Sequence, residues 1–425
     1  MSSTEFQMEF RLTRKVPIQS LPVDGLRGFA AFHIILGHLF MWSETHPRYA
    51  TPENAPAPTA GLCSWEIFAG FPLMGGGSMG ALPPLGSTQR LALLVQAPHA
   101  LGADDYLTNI IGIVMRQVYA EDVFGDMPHY SYEVTWVDYV LTFLGLTSWS
   151  LRLPLGNELT WTISTMCFFY LCFPALAPRL QRLQPRTLPK LAWTMYLLQI
   201  FLMMGAFALA FSQGMGLFGS YWLRMTPPLR LPVFVMGLCA GLIRIQRQQA
   251  AMKDSDLDAG ICSRRDLTPI SRSERPEVLD GACCEEPCIG PWSLFGIWFL
   301  FTGLSVAAAV QCGILVGLRA VLEVFFPILF YYWVLAITSP LHQSSSLVAF
   351  FNSRIMQFLG NISMSAYMIH MLLMEFQGYL IGTRINSHPW WVVLTMLPMT
   401  LVLRWFLTEL LGSTQLDVNG YRLAW

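Results

Sequence analysis

Residues 24–42, DGLRGFAAFHIILGHLFMW, form an apolar stretch that carries ionisable side chains. An α-helix turns by about 100° per residue, so Arg27 and His38 project in directions that differ by only about 20° around the axis. The two residues lie about 16 Å apart along that axis. Asp24 precedes Arg27 by three residues, so its carboxylate is expected to pair with the guanidinium. His33 points away from this face. Arg27 and His38 therefore share one side of a predicted apolar helix.

Two interpretations of this shared face compete. An arginine at a membrane edge is often only an orientation signal, and a buried histidine is often a packing residue. A histidine near the middle of an apolar span, however, costs free energy unless it faces protein or water, so intramembrane ionisable groups are functional candidates. The residue types alone leave both interpretations open.

The composition predicts a polytopic membrane protein. Of the 425 residues, 54% are hydrophobic and 12% are charged, whereas a soluble domain carries about 25% charged residues. The net charge of −1 gives no sign of nucleic-acid binding, so no nucleic-acid partner is expected. The apolar composition makes a lipid bilayer the expected partner. The nine cysteines show no zinc-like spacing with histidine, so no metal site is expected.

Apolar segments of membrane-spanning length recur along the chain. Beyond residues 24–42, the pattern predicts helices at about 158–178, 191–212, 229–245, 292–316, 319–338, 356–380 and 390–411. Residues 136–151 are a marginal span, and the Pro- and Gly-rich stretch before them has no clear one. The predicted fold is an all-α transmembrane helical bundle of about 8 to 10 spans.

The distribution of basic residues predicts the topology. Arginine and lysine are denser in alternate connections, so by the positive-inside rule the tail at residues 1–20 and both termini are expected in the cytoplasm. Residues 21–425 then form one membrane domain. Within it, residues 246–291 mix charges, serine and proline without periodicity, which predicts a flexible cytoplasmic loop.

Three motifs resemble those of the membrane-bound acyltransferase 3 family, which includes O-acylating bacterial enzymes and nose-resistant-to-fluoxetine-like proteins. The first is VDGLRGFAAFHIILGHLF at residues 23–40, with ten residues between its arginine and its histidine. The second is LTWTISTMCFFYLCFPAL at residues 159–176, and the third is FLGNISMSAYMIHMLLM at residues 358–374. All three occur in the family's order.

The resemblance implies about ten membrane helices and an enzyme without a bound cofactor. Its cosubstrate would be acyl-CoA, used on the cytoplasmic side. A short acyl group such as acetyl would pass to a hydroxyl of a carbohydrate, lipid or small-molecule acceptor. The resemblance also implies that Arg27 and His38 are essential, because they occupy the family's matching positions.

Two features depart from the family's pattern. Residues 43–133 lack the apolar span and the Arg-x-x-Arg type basic turn that serve the donor in other members, and Met166 and Cys167 stand where many members carry glutamate. A diverged member with another donor site, a truncated or mis-assembled version and an inactive relative all fit these departures.

Acyl transfer to a hydroxyl needs a base for the alcohol proton and a positive or hydrogen-bonding group at the developing oxyanion. His38 is the candidate base, and Arg27 the candidate for binding the donor phosphate or thioester carbonyl. No Gly-x-Ser-x-Gly elbow is present, which favours direct transfer, although an acyl-histidine stays open. Asp24, Tyr367 and His370 are secondary candidates. The rival hypotheses are a non-catalytic carrier, in which these polar groups line a path, and an inactive scaffold.

Overall fold

The structure, a computed structural model, is a bundle of α-helices. It describes residues 21–45, 107–114, 135–149, 157, 159–213, 225–263, 289–312, 315–381, 394–395, 398–400, 402, 417–418 and 421–422. The helices are α1 (Leu21–Thr45), α2 (Trp136–Phe143), α3 (Thr160–Gln181), α4 (Thr187–Ser212), α5 (Pro227–Ser263), α6 (Pro291–Cys312), α7 (Leu315–Ile337), α8 (Ser346–Phe351) and α9 (Arg354–Ile381). Strands β1 (Asp417–Val418) and β2 (Tyr421–Arg422) pair antiparallel in a minimal hairpin. The predicted helical fold is thus confirmed for the described residues.

Three helices among the described residues are long and apolar enough to cross a membrane: Thr160–Gln181, Thr187–Ala210 and Pro227–Arg247. Two shorter apolar helices, Pro291–Leu304 and Phe325–Ile337, accompany them. On α4, Leu197 and Phe201 are 61% and 74% exposed, as expected for side chains that face lipid. The count of 8 to 10 spans stays a prediction, as does the span at 390–411, most of which lies outside the described residues.

The predicted span at residues 136–151 is wrong. Helix α2 has eight residues, which rise about 12 Å, and a hydrocarbon core is about 30 Å thick. A capping box starts the helix, because Asp138 accepts hydrogen bonds from the backbone and side chain of Thr135. Gly145, with φ of 65°, follows its C-terminal end in a left-handed conformation that glycine adopts most readily. The capping residues and Gly145 are visible in the sequence, but the apolar composition of residues 136–151 favoured a longer helix.

The predicted loop at residues 246–291 is wrong over its first part. Helix α5 continues from Pro227 to Ser263, so residues 246–263 are helical. Gln, Arg, Ala, Met and Lys dominate the start of this extension, and these residues have high helix propensity even where the composition is polar. Residues 264–288, and with them the predicted flexibility, lie outside the described residues.

Helices α1 and α9 make a close backbone contact through glycines. A Cβ at Gly360 would collide with the carbonyl of Asp24, and one at Gly28 would collide with the backbone of Gly360. Gly25 likewise lies against the carbonyl of Phe351, at the end of α8. Glycines at such a crossing allow two backbones to approach closely in a membrane. The glycines therefore fix where α1 crosses α9.

The side of α1 opposite Arg27 packs into an aromatic cluster with α6 and α7, and Phe351 at the end of α8 touches both this cluster and Gly25. The ring of Phe29 lies 5.0 Å from that of Trp298 and 6.2 Å from that of Trp333, both edge-on. His33 lies in the same cluster, with its ring 4.7 Å from Trp298. Edge-to-face contacts of this kind add about 0.5–1.5 kcal/mol each to the burial of the rings. One side of α1 thus packs against aromatic rings, and the other side carries Arg27.

Candidate functional site

Arg27 is fixed at the start of α1 by two partners. Its Nη1 lies 3.4 Å from Oδ1 of Asp24, which is the pairing expected from their spacing. Its Nη2 and Nε donate to the backbone carbonyl of Gly360 at 2.9 and 3.3 Å. The side chain is still 35% exposed. Arg27 is therefore a positive group that is held in one orientation yet accessible to a ligand.

Two further side chains lie within electrostatic range of this pair. The charge of Arg27 acts on the phenol of Tyr170 in α3, and the charge of Asp24 acts on the guanidinium of Arg244 in α5. Arg244 is buried, with 5% of its surface exposed. These charges link α1 electrostatically to α3 and α5, and the Arg27 hydrogen bonds link it to the backbone of α9.

Sequence reasoning missed both of these neighbours. The second motif contains Tyr170, but its spacing assigns that residue no role, and the distribution of basic residues does not single out Arg244. One signal in the sequence could have drawn attention to Arg244: it follows directly on the apolar run LCAGLI at residues 238–243, where a side chain is buried on most sides. Its proximity to Asp24 depends on how distant helices pack, which no local spacing encodes.

His38 lies on α1 eleven residues after Arg27, within the same uninterrupted helix. Its side chain lies outside what the structure describes. Its level in the bundle follows from the backbone: Gly28 contacts Gly360, and further along both helices Ile35 and Ala366 line one narrow cleft, so α1 and α9 run in the same direction. His38 and His370 each follow their glycine by ten residues, which places both at about the same depth.

Tyr367 and His370 are fully buried within α9. The Tyr367 hydroxyl forms a 3.0 Å hydrogen bond with the hydroxyl of Thr162 in α3. Nδ1 of His370 lies 2.6 Å from the carbonyl oxygen of Tyr367. A carbonyl can only accept, so in this geometry Nδ1 carries the hydrogen, and in the neutral ring Nε2 is the nitrogen able to accept a proton.

Asn157, which sequence reasoning also missed, joins the second motif to the third. It is fully buried just before α3, and its side-chain amide donates to the carbonyl of Met368 in α9 at 2.7 Å. Its backbone N–H donates to the side-chain oxygen of Asn109 at 3.4 Å. Buried polar groups in membrane proteins need such partners, so these bonds hold α9 and α3 in register.

The Tyr367–Thr162 bond should be measurable as a coupling between α3 and α9. Replacing Tyr367 with phenylalanine removes the hydroxyl partner of buried Thr162 and is expected to cost about 1–2 kcal/mol of stability. The double variant with Thr162→Val should lose less than the sum of the single changes, by about 1 kcal/mol. Thermal unfolding in detergent would measure this coupling, with Tyr332→Phe, whose hydroxyl accepts from exposed Trp193, as the control. Additive losses would contradict the coupling.

No described residues form a metal site, since no three His, Cys, Asp or Glu side chains come together in that part of the chain. A narrow apolar cleft lies between α1 and α9.

A comparison with known protein families identifies the domain that these helices form. The family model Acyl_transf_3, an acyltransferase domain, matches residues 110–409, about 70% of the chain. The chain belongs to the acyltransferase 3 family. It is an integral membrane acyltransferase, and the resemblance seen in its motifs is confirmed. No curated protein and no solved structure matches the chain.

The matched region of this acyltransferase contains the second and third motifs but not the first. Helix α1, with Arg27 and His38, precedes residue 110. The contacts of Arg27 and Gly28 with Gly360 nevertheless join α1 to α9, a helix inside the matched region. The first motif is therefore packed as part of the acyltransferase domain, although it lies outside the match.

Proposed function

We propose that this acyltransferase moves a short acyl group from acyl-CoA to a hydroxyl of a carbohydrate, lipid or small-molecule acceptor, at a site built on α1. The observation that supports this most directly is the state of Arg27: positively charged, oriented by Asp24 and by the Gly360 carbonyl, and partly exposed. An arginine held in this way suits a phosphate or a developing oxyanion. His38 follows on the same helix, about 16 Å further along its axis.

In the proposed reaction, the acceptor oxygen attacks the thioester carbonyl while His38 takes the acceptor's proton. The negative charge that develops on the carbonyl oxygen needs a nearby donor or positive group. The carbon–sulfur bond then breaks, and the CoA thiolate takes the proton from His38. The products are the acyl ester and free CoA, and His38 returns to its starting state. Arg27 holds the donor from its end of the helix.

The orientation of the site is part of the proposal. Arg27 lies near the N-terminal end of α1, and Arg244 comes from the end of an apolar span where further basic residues follow. Dense arginine and lysine favour the cytoplasmic side. The donor would then bind from the cytoplasm, with residues 1–20 and both termini on that side, and His38 deeper in the bilayer. Residues 21–425 would form a single catalytic membrane domain.

The test is acceptor-dependent release of CoA. Purified protein in lipid nanodiscs is given acetyl-CoA and a panel of sugars, polyols and hydroxylated lipids, and free thiol is measured together with the ester product. We expect release that needs an acceptor and equals the ester formed. A carrier would instead move an acceptor across liposomes without releasing CoA. Folded protein that releases no CoA above the protein-free rate with any acceptor would overturn the proposal.

A further inference from the structure

We propose that the start of α4 carries a binding site for an anionic phospholipid, in which Arg186 and Lys190 hold the headgroup phosphate and the exposed apolar side of the helix contacts the acyl chains. None of these side chains belongs to the proposed acyl-transfer site. Lipid binding at this surface therefore goes beyond the proposed reaction and needs no turnover to be measured.

The connection between α3 and α4 concentrates positive charge at the surface. The last turn of α3, the connection and the first turn of α4 carry four exposed basic side chains: Arg179, Arg182, Arg186 and Lys190. Residues 159–253 contain no aspartate or glutamate, so the neighbouring sequence supplies no carboxylate to neutralise them. A cluster of this size next to a membrane-spanning helix attracts anionic lipid headgroups.

Hydrogen bonds hold this connection in one conformation. The backbone N–H and the hydroxyl of Thr187 donate to the carbonyl of Gln184 at 2.9 and 2.7 Å. The backbone N–H of Leu183 donates to the carbonyl of Leu180 at 3.0 Å. Arg186 directly precedes Thr187, so its backbone is fixed before a ligand arrives, which lowers the entropy cost of binding.

Beyond Lys190, one side of α4 is exposed and apolar. Trp193, Leu197, Phe201 and Met204 follow Lys190 at offsets of 3, 7, 11 and 14 residues, which places all of them within about 80° around the helix. All four side chains are exposed. This α4 stripe runs about 16 Å from Trp193 to Met204, close to half of the ~30 Å hydrocarbon core. It therefore matches the acyl chains of one leaflet, with Lys190 at the headgroup end.

An aromatic pair lies between the charges and the apolar part of the α4 stripe. Nε1 of Trp193 donates to the hydroxyl of Tyr332 in α7 at 3.0 Å. A phenol that accepts one hydrogen bond still has its own hydrogen to donate. Tryptophan and tyrosine are enriched where a helix crosses the boundary between water and hydrocarbon. Tyr332 is thus suited to bond an ester oxygen of a lipid whose phosphate lies at Lys190.

The charge of the ligand follows from the side of the membrane. The topology proposed from the basic residues places this connection in the cytoplasm, and the cytoplasmic leaflet carries the anionic lipids. A zwitterionic lipid has the same phosphate and ester groups, but its own cation offsets the attraction. The site should therefore prefer an anionic headgroup over phosphatidylcholine.

The experiment measures binding of single lipids to the full-length protein in mild detergent. The protein is titrated with phosphatidylglycerol and, separately, with phosphatidylcholine of the same acyl chains, and native mass spectrometry counts the bound lipids. We expect Arg186→Gln and Lys190→Gln each to weaken phosphatidylglycerol binding about 5-fold, which corresponds to ~1 kcal/mol per basic residue, and to leave phosphatidylcholine binding unchanged. Lys190→Arg, which keeps the charge, should bind like the wild type.

Two further variants test the uncharged parts of the site. Tyr332→Phe should weaken binding of both lipids about 3-fold, because both present ester oxygens to the hydroxyl. Phe201→Ala should weaken binding of both long-chain lipids and leave phosphatidylglycerol with six-carbon chains unaffected, since short chains do not reach that level of the stripe.

Arg354 provides a matched control for the charge variants. It is an exposed basic residue at the start of α9, and the apolar side chain of Ile355 beside it is also exposed. Arg354→Gln should leave the affinity for phosphatidylglycerol unchanged. An equal loss in Arg354→Gln and Lys190→Gln would show a general effect of charge and would overturn the assignment.

Three other outcomes would also overturn it. Phosphatidylglycerol could bind equally well to wild type and to folded Arg186→Gln and Lys190→Gln, which would leave the basic residues without a role. The same variants could weaken binding of CoA but not of phosphatidylglycerol, which would assign the charges to a soluble phosphate compound. Phe201→Ala could instead convert a dimer into a monomer without changing lipid binding, which would show that a second copy of the chain covers the α4 stripe.

Discussion

Replacing His38 with alanine is expected to lower kcat for acceptor-dependent CoA release by about 10²–10⁴-fold, the usual contribution of a positioned general base. The side chain would no longer remove the acceptor proton, whereas Arg27 would still hold the donor. The loss should therefore fall on kcat, with the Kd for CoA close to that of the wild type. Stopped thiol detection gives kcat, and titration in nanodiscs gives the Kd.

His33 provides a matched control for that experiment. It lies on the same helix five residues earlier, but its ring packs against Trp298 on the aromatic side. His33→Gln should reduce stability through lost ring packing and leave kcat per folded molecule within a few-fold of the wild type. Comparable activity in His38→Ala and wild type would show that the base lies elsewhere. His370, at a similar depth on α9, would then be the next residue to test.

A methyl group at Gly360 is expected to be as damaging as a change in the reacting residues. Gly360→Ala would drive a Cβ into the carbonyl of Asp24, so α1 must shift away from α9. Overpacking of this kind costs about 1–3 kcal/mol. The shift would also move the carbonyl that accepts from Arg27. We expect a lower midpoint of thermal unfolding, less monodisperse protein in detergent and a loss of CoA release larger than the loss of folded protein.

Gly296 is the natural control for Gly360. It lies within α6, and an added Cβ would meet no atom within 4 Å. Gly296→Ala should be neutral or slightly stabilising, because alanine is favoured over glycine in a helix by about 1 kcal/mol. If both alanine variants unfold at the same temperature, the glycine contact does not determine the position of α1.

Local patterns predicted the parts of the fold that depend on neighbouring residues. The i,i+3 spacing of Asp24 and Arg27 was enough to predict their ion pair, and the apolar run was enough to predict α1. The third motif likewise predicted a long helix, now α9, with Tyr367 and His370 within it. These features hold because helical geometry relates residues that are close in sequence.

The contacts that assemble the site could not be predicted in this way. The Gly360 carbonyl lies 333 positions from Arg27, so no local spacing relates the two groups. Apolar composition was also misleading at α2, where the capping box and Gly145 limit the helix to eight residues. Polar composition was misleading in the same manner beyond residue 245, where helix propensity continues α5.

The glycine contact between α1 and α9 also predicts what would happen to a protein that lacks its first hundred residues. A polypeptide started near residue 110, where the match to the acyltransferase domain begins, would lack α1 and leave the face of α9 around Gly360 bare. Trp298 and Trp333 would also lose their ring contacts with Phe29. A protein shortened in this way should therefore be less stable than the full chain, because α9, α6 and α7 each lose a packing partner.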